Sequence, residues 1–273
     1  MSLDAEQFHT QVMKHLFKAR GIDISGYSES FVMRAIKKRV GRTCSLDNAG
    51  YLKTLIQSEE ETNELLGALS INVTEFFRDR GAFEAFEKYA IGPLLESKVQ
   101  DGALLRIWSA GCATGQETYT IAMCLAEEMK RVEPCKRPMA SVLGTDISSA
   151  ALAKAESGIY AREEVRGIPE RLLSLYFVRK GVAFEAAPSL TRYVRFAREN
   201  LLDKPGSKFF DAIVCRNVLI YFSRKMHEVV VQNLYESLRK GGYMMLGRTE
   251  TLMGSPRNAF EVVDLENRIL RKL

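Results

Sequence analysis

The sequence predicts an α/β protein: an open, mostly parallel sheet with helical crossovers, preceded by an all-helical N-terminal part. Three observations point there. Over about the first 90 residues apolar side chains recur at helical spacing, as in Phe8, Val12 and Leu16 and again in Leu52 and Leu55. From Leu104 onward short apolar runs alternate with longer amphipathic stretches, the rhythm of strand–helix–strand units with right-handed crossovers. A glycine-containing turn joins the first of those runs to the helix behind it.

In the N-terminal part, residues 28–40 are the most patterned. Phe31, Val32, Ala35, Ile36 and Val40 form an apolar stripe, and Arg34, Lys37 and Lys38 fall on the other side. Gly41 reads as the stop of this helix, with Arg42 beyond it. Five cations and no acid lie between Ser30 and Leu46. Such a face is either a solvated helix surface or a docking surface for an acidic partner.

Beyond residue 100 the elements follow in order. Residues 104–110 (LLRIWSA) are a short apolar strand, and a helix runs over about 116–131. Residues 141–147 (SVLGTDI) make a second strand, with Ser148 or Ser149 capping the next helix. Residues 193–197 and 210–215 are two more strands. Ser223 caps a long helix whose Val230, Leu234 and Leu238 share a face and which stops at Gly241-Gly242. Residues 243–247 form another strand, and 260–273 a final hairpin. The stretch 180–191, with Gly181 and Pro188, is poor in pattern and reads as a small insertion.

Composition bounds the function. The chain has 273 residues, 46% of them hydrophobic and 27% charged, which suits one large globular domain or two modest ones. No apolar run approaches the roughly 20 residues of a membrane span, and the first residues lack the basic start and apolar centre of a signal peptide. The expected location is the cytoplasm. Cys44, Cys112, Cys124, Cys135 and Cys215 are odd in number and scattered, and His9, His15 and His227 make no ligand spacing, so neither disulfides nor a metal are expected. A net charge of +5 permits an acidic protein or nucleic acid as partner and requires neither.

The strongest local motif is Trp108-Ser-Ala-Gly-Cys-Ala-Thr-Gly115, at the strand-to-helix turn. Glycines there let a ligand approach the backbone, and the helix start supplies free N–H groups. It is neither a dinucleotide GxGxxG nor a Walker A, since no lysine follows Gly115. A turn of this kind suits a nucleoside bearing an amino acid, such as S-adenosylmethionine, or is a tight structural turn. Asp146 ends the second strand, where an acid bonds ribose hydroxyls or simply caps the helix that follows. Glu199-Asn200-Leu201 and Cys215-Arg216-Asn217 stand at the ends of later strands, on the side where such sheets bind ligands.

Several longer segments, in the same order along the chain, resemble the chemotaxis receptor glutamate methyltransferase (CheR) family. They are Ser70-Ile-Asn-Val-Thr-Glu-Phe-Phe-Arg78, Trp108 to Tyr119, Gly144-Thr-Asp-Ile147, Ser157-Gly-Ile-Tyr160, Asn200-Leu201 and Cys215-Arg-Asn-Val-Leu-Ile-Tyr-Phe222. The resemblance implies a Rossmann-like S-adenosylmethionine methyltransferase domain over 101–273, with a small inserted β subdomain at 177–192. It also implies a small α-helical N-terminal domain over 1–90, with a linker to about 100. Carried over residue by residue, the cofactor contacts are Asn72, Thr74, Arg78, Gly111, Glu117, Asp146, Asn200, Leu201, Arg216 and Asn217. Tyr221 matches a tyrosine near the methyl-transfer centre, and Arg216 and Tyr221 are expected to position the incoming carboxylate. The helix with Arg34, Lys37 and Lys38 matches the element that meets acidic receptor helices.

Three departures stand out. Gln116-Glu117-Thr118 replaces the frequent Glu-Glu-Pro, Gly247-Arg-Thr-Glu250 replaces Gly-His-Ser-Glu, and the insertion after Tyr176 lacks the glycine-rich feature of relatives that bind a receptor's C-terminal pentapeptide. The expectation is therefore a cytoplasmic monomer that methylates receptor glutamates from S-adenosylmethionine, gives S-adenosylhomocysteine and uses no pentapeptide tether. A methyltransferase of RNA or a small molecule, or a non-catalytic module that senses the cofactor and docks receptors, are the competing expectations. The one tryptophan and the lack of an aromatic–basic platform speak against RNA.

Overall fold

The computed structural model describes residues 4–20, 24–43, 45, 47–69, 74–204, 206 and 209–273. The chain divides into two compact units, Met1–Asn72 with Tyr221–His227, and Val73–Ile220 with Glu228–Leu273.

The first unit is helical: α1 (Ala5–Arg20), α2 (Glu29–Arg42), α3 (Asn48–Gln57) and α4 (Glu59–Leu69). Phe8, Val12, Leu16, Val32, Ile36, Tyr51, Leu55 and Leu65 meet in its core. The stripe of α2 lies inward and Arg34, Lys37 and Lys38 are exposed, as the periodicity predicts. Arg39, a fourth cation of that helix, instead turns into the protein. Its Nε and Nη2 donate to the two oxygens of Glu61 at 3.0 and 2.6 Å, and Nη1 donates to Glu64 at 2.6 Å. The Tyr51 hydroxyl donates to the same Glu61 at 2.9 Å. Gly41 does not stop α2. The helix runs to Arg42, and Thr43 closes it by donating its N–H and its hydroxyl to Arg39 O, so no left-handed glycine is needed. Later in the chain, Phe222 bridges Tyr27 and the Ser28 N–H donates to Tyr221 O, which counts this short segment with the helical unit.

The second unit is built on a sheet. After α5 (Arg80–Phe86) and α6 (Gly92–Asp101) come β1 (Leu105–Ala110), α7 (Gln116–Lys130), β2 (Ala140–Asp146) and α8 (Ser149–Ser157). A small excursion follows: β3 (Ile159–Ala161), α9 (Glu170–Tyr176), β4 (Phe177–Lys180), β5 (Ala183–Ala186) and α10 (Pro188–Thr191). The main sheet resumes with β6 (Val194–Arg198), β7 (Phe210–Cys215), α11 (Arg224–Ser237), β8 (Leu238–Leu246), β9 (Phe260–Asp264) and β10 (Ile269–Lys272). The strand order is β6-β2-β1-β7-β8-β10-β9; the first five are parallel and the closing hairpin is antiparallel. The pattern-poor stretch is ordered: β3, β5 and β4 form a separate antiparallel sheet, the inserted β subdomain. Every residue of β7 is buried, as expected for a strand covered on both faces. Its one charge, Asp211, is matched by Lys98 at 2.9 Å, Arg239 at 2.7 Å and the Arg106 N–H at 2.7 Å.

α11 stops at Ser237, before Gly241-Gly242, and β8 begins at once. Lys272 Nζ donates to Tyr235 O and Leu238 O at 2.7 Å, satisfying carbonyls at the helix end. The glycines serve the strand instead. Gly241 takes φ +74° where the β7–β8 register shifts, and a side chain on Gly242 would come within 2.8 Å of Asp211 O.

Candidate cofactor site

The site lies at the carboxyl ends of β1, β2, β6 and β7. The sheet order changes direction between β1 and β7, the place where open α/β sheets hold their ligands. Gly111 extends β1 by one rung: its N–H and that of Cys112 both donate to Thr145 O, at 2.8 and 2.9 Å. The chain then turns through Gly111 (φ +77°), Ala113 (+49°) and Gly115 (+92°) into α7. Asp146 clasps this turn, accepting the Ala113 N–H on Oδ2 and the Ser148 N–H on Oδ1, each at 2.9 Å. Burial raises the Asp146 carboxyl above its ordinary pKa, against the pull of those N–H groups. Ser148 itself caps α8 by accepting from Ala151. Of the two sequence readings of Asp146, the structure shows a bond to the Ser148 N–H at the start of α8, and each carboxylate oxygen can accept a second hydrogen bond.

Glu117 stands in the first turn of α7 and accepts from the Ser109 hydroxyl of β1 at 2.9 Å. Desolvation pushes its carboxyl up to about 7, with Arg216 and Ser109 acting in the opposite direction. The neighbouring Gln116 is buried and structural: its side-chain oxygen accepts from the Thr114 hydroxyl at 2.7 Å and its carbonyl from Thr120 at 2.7 Å.

At the end of β6, Asn200 folds back on itself: its side chain accepts from the Leu202 N–H and its carbonyl from the Asp203 N–H. Leu201 is buried, and its carbonyl accepts from Asn233 of α11 at 2.9 Å. After β7, Asn217 adopts a left-handed conformation (φ +59°) with its side-chain oxygen buried and without a hydrogen-bond partner. The Arg216 side chain is only 1% exposed and committed to a neighbouring turn: Nη1 donates to Arg78 O at 2.9 Å and Nη2 to Asp79 at 2.6 Å, with the guanidinium over the Phe83 ring. That turn, 76–79, holds Phe77 and Asp79 at positive φ. Thr74 precedes it, and Asn72 lies outside the described residues. Tyr221, grouped with the helical unit, stacks its ring on Phe31 at 4.8 Å between centroids. Arg34, Lys37 and Lys38 are exposed on α2 of that same unit.

The sheet unit thus brings together Gly111, Glu117, Asp146, Asn200, Leu201, Arg216 and Asn217. Three further residues were not singled out by sequence: Ser109, Asp79 and Glu250. Ser109 and Asp79 are recognisable only from what they bond to. Glu250 ends the Gly247-Arg-Thr-Glu250 segment, but nothing in the sequence says that its carboxylate turns back towards Asn217. Among the described residues no group of three or more His, Cys, Asp or Glu could hold a metal ion, and no helix is long and apolar enough to cross a membrane.

Gly111 tolerates a side chain poorly. A Cβ there would lie 2.6 Å from Val218 Cγ2, and its φ disfavours any other residue. Gly111→Ala is expected to cost about 1–3 kcal/mol by thermal denaturation. Gly181→Ala has a similar φ with open space around it, and is expected to cost about half as much.

Residues 72–269 match the family model of the CheR methyltransferase, S-adenosylmethionine-binding domain. The chain is 31% identical over 246 residues to a chemotaxis protein methyltransferase of Listeria monocytogenes, covering 90% of this chain and 89% of that one. It is 32% identical over 262 residues to chemotaxis protein methyltransferase Cher2 of Pseudomonas putida, covering 93% and 92%. An uncharacterised 104.1 kDa protein of Rhodobacter capsulatus is 31% identical over 252 residues, and there this chain spans only 26% of the relative's length. A family match over most of the chain, falling on a glycine turn clasped by Asp146 and flanked by Glu117, shows that the chain belongs to the CheR family of S-adenosylmethionine-dependent methyltransferases.

Proposed function

We propose that the protein transfers the methyl group of S-adenosylmethionine to glutamate side chains on the cytoplasmic helices of methyl-accepting chemoreceptors, leaving a methyl ester and S-adenosylhomocysteine. The observation that carries this reading is the match of residues 72–269 to the CheR methyltransferase family, on the glycine turn clasped by Asp146. A glutamate nucleophile needs no base, because it ionises near pH 4.3 and is already a carboxylate at neutral pH. Its demands are orientation and removal of water, and good orientation can supply as much as ~7–11 kcal/mol of barrier reduction.

The residues present fit the cofactor. The unpartnered Asn217 oxygen offers an acceptor beyond the end of β7, and the glycine turn runs into the start of α7 through the left-handed residues Gly111, Ala113 and Gly115. Asp146 takes the ribose hydroxyls, and Glu117, a carboxyl with one hydroxyl donor, takes a cationic end of the cofactor. Asn200, Leu201, Gly111, Arg78, Thr74 and Asn72 complete the contacts. Arg216, expected with Tyr221 to position the incoming carboxylate, has its guanidinium bonded to Arg78 O and Asp79 and so keeps the turn carrying Arg78 in place, and Tyr221 orients the incoming carboxylate. The exposed Arg34, Lys37 and Lys38 dock the acidic receptor helix. Nucleic acid is a poorer fit, since the single tryptophan is buried against Phe210 and offers no platform for bases. The protein acts in the cytoplasm as a monomer and without a pentapeptide tether.

The test is transfer of radiolabelled methyl to membranes bearing chemoreceptors, followed by mild base. Base-labile label on the receptor band, equal for receptors with and without the pentapeptide, is the expected result. Arg216→Ala and Tyr221→Phe should each slow labelling about tenfold. Base-stable label, label only on RNA, or an unchanged kcat in both variants overturns the corresponding assignment.

A further inference from the structure

The carboxylate of Glu250 is 2% exposed and accepts four backbone N–H groups. Oε2 takes those of Asn217 at 2.8 Å and Gly247 at 2.7 Å; Oε1 takes those of Val218 and Leu219, both at 2.8 Å. Three of the four are consecutive. Successive N–H groups that follow a left-handed residue form a concave nest for an anion, and here the anion is the protein's own side chain. A Cβ on Gly247 would lie 2.6 Å from Glu250 Oε2 and 3.0 Å from Asn217 N, so the ends of β7 and β8 meet at this carboxylate without room for another side chain. The same loop presses Val218 onto Gly111, which links the glycine turn after β1 to the loop after β7.

We propose that Glu250 is a positioning residue for the cofactor site: it holds Asn217 in its left-handed conformation and Val218 against Gly111. This rests on the reading of Asn217 as a cofactor contact. Asn217 tolerates positive φ better than most residues but still at a cost, and a single buried anion bonded to 217, 218 and 219 fixes that conformation before any ligand arrives. Glutamine cannot replace it. The amide oxygen can accept from two of the N–H groups, while the amide nitrogen is a donor placed against the other two. A positioning role differs from a merely stabilising one in what it moves. It changes the affinity of the folded protein for the cofactor while leaving the transfer step of the loaded enzyme nearly intact.

The test uses the full chain as Glu250→Gln, Glu250→Asp and Asn217→Ala. Affinity for S-adenosylhomocysteine is measured by calorimetry, and exchange of the 217–219 amides by mass spectrometry without ligand. Glu250→Gln is expected to weaken binding about tenfold or more, with faster amide exchange at 217–219 and a raised KM for S-adenosylmethionine at nearly unchanged kcat. If Glu250→Gln does not fold, Glu250→Asp, which keeps the charge but withdraws it by one methylene, is judged by the same criterion. A folded variant that binds S-adenosylhomocysteine within twofold of the parent, whatever its melting temperature, overturns the proposal. If Asn217→Ala binds normally while Glu250→Gln does not, the Asn217 contact fails and the positioning role stands through Val218. If Asn217→Ala is weakened and Glu250→Gln is not, the positioning role fails alone.

Discussion

Glu61→Ala is expected to destabilise the helical unit by about 3–5 kcal/mol. Arg39 and Glu61 are both almost fully buried and bonded through two hydrogen bonds, and Tyr51, with no exposed surface, gives its hydroxyl to the same carboxylate. Removing Glu61 leaves a buried guanidinium with only the half-exposed Glu64 and a buried phenol without its acceptor, which costs more than the pair itself contributes. Urea denaturation followed by circular dichroism measures the change. Glu64→Ala, which takes away the half-exposed second partner of Arg39, should cost under ~1 kcal/mol. Arg39→Met combined with Glu61→Leu should recover most of the loss, because no buried charge is then left unpaired. The pH dependence has a definite sign. Desolvation pushes the Glu61 carboxyl up, but the hydrogen bonds from Arg39 and Tyr51 outweigh it and the net shift is downward. The stabilisation is therefore complete above the ordinary value near pH 4.3 and is lost as pH falls through the lower folded value. A denaturation midpoint that stays flat through that acid range would remove Glu61 from the account.

The contrast between Arg39 and its neighbours marks how far sequence could reach. Periodicity placed Phe31, Val32, Ala35 and Ile36 inside and Arg34, Lys37 and Lys38 outside, since apolar burial follows the helical repeat. It could not separate Arg39 from the other cations, because what turns Arg39 inward is an acid 22 residues away on another helix. The strands of the sheet were legible for the same reason. β7 is one unbroken apolar run but for Asp211, and its limits were read correctly. The end of α11 was not, because glycines that usually stop helices here serve a strand whose pairing with β7 is a long-range fact. The glycine turn, Asp146 and Asn217 stand at the strand ends where the sequence put them. Glu250 and Asp79 could not be read from the sequence, because their tasks are bonds to backbone that only the fold brings near.

Glu117→Gln is expected to weaken cofactor binding about 100-fold, the range for removing one partner of a buried charge pair. In the free protein desolvation pushes the Glu117 carboxyl up to about 7, so near neutral pH it is about half protonated. Arg216, Ser109 and Arg78 favour its charged form, and Glu250 opposes it. S-adenosylmethionine carries an ammonium and a sulfonium, and either beside Glu117 selects the carboxylate. Binding below pH 7 must then expel a proton. Affinity should be level above pH 7 and fall by up to about tenfold per pH unit below it, the limit for one linked proton. Stability of the free protein runs the other way. Its folded state binds the extra proton between about 4.5 and 7, so this group's contribution is full below its unfolded pKa and is lost as pH rises through about 7. Opposite slopes for binding and for stability over one pH range are a signature that a group outside the cofactor site cannot give. Calorimetry in buffers of different ionisation enthalpy reads the released proton directly: close to one per cofactor at pH 6 in the parent protein and none in Glu117→Gln. Equal proton release in both would mean that another group answers to the cofactor's charge, and Glu117 would then be a buried acid held only for packing with Ser109.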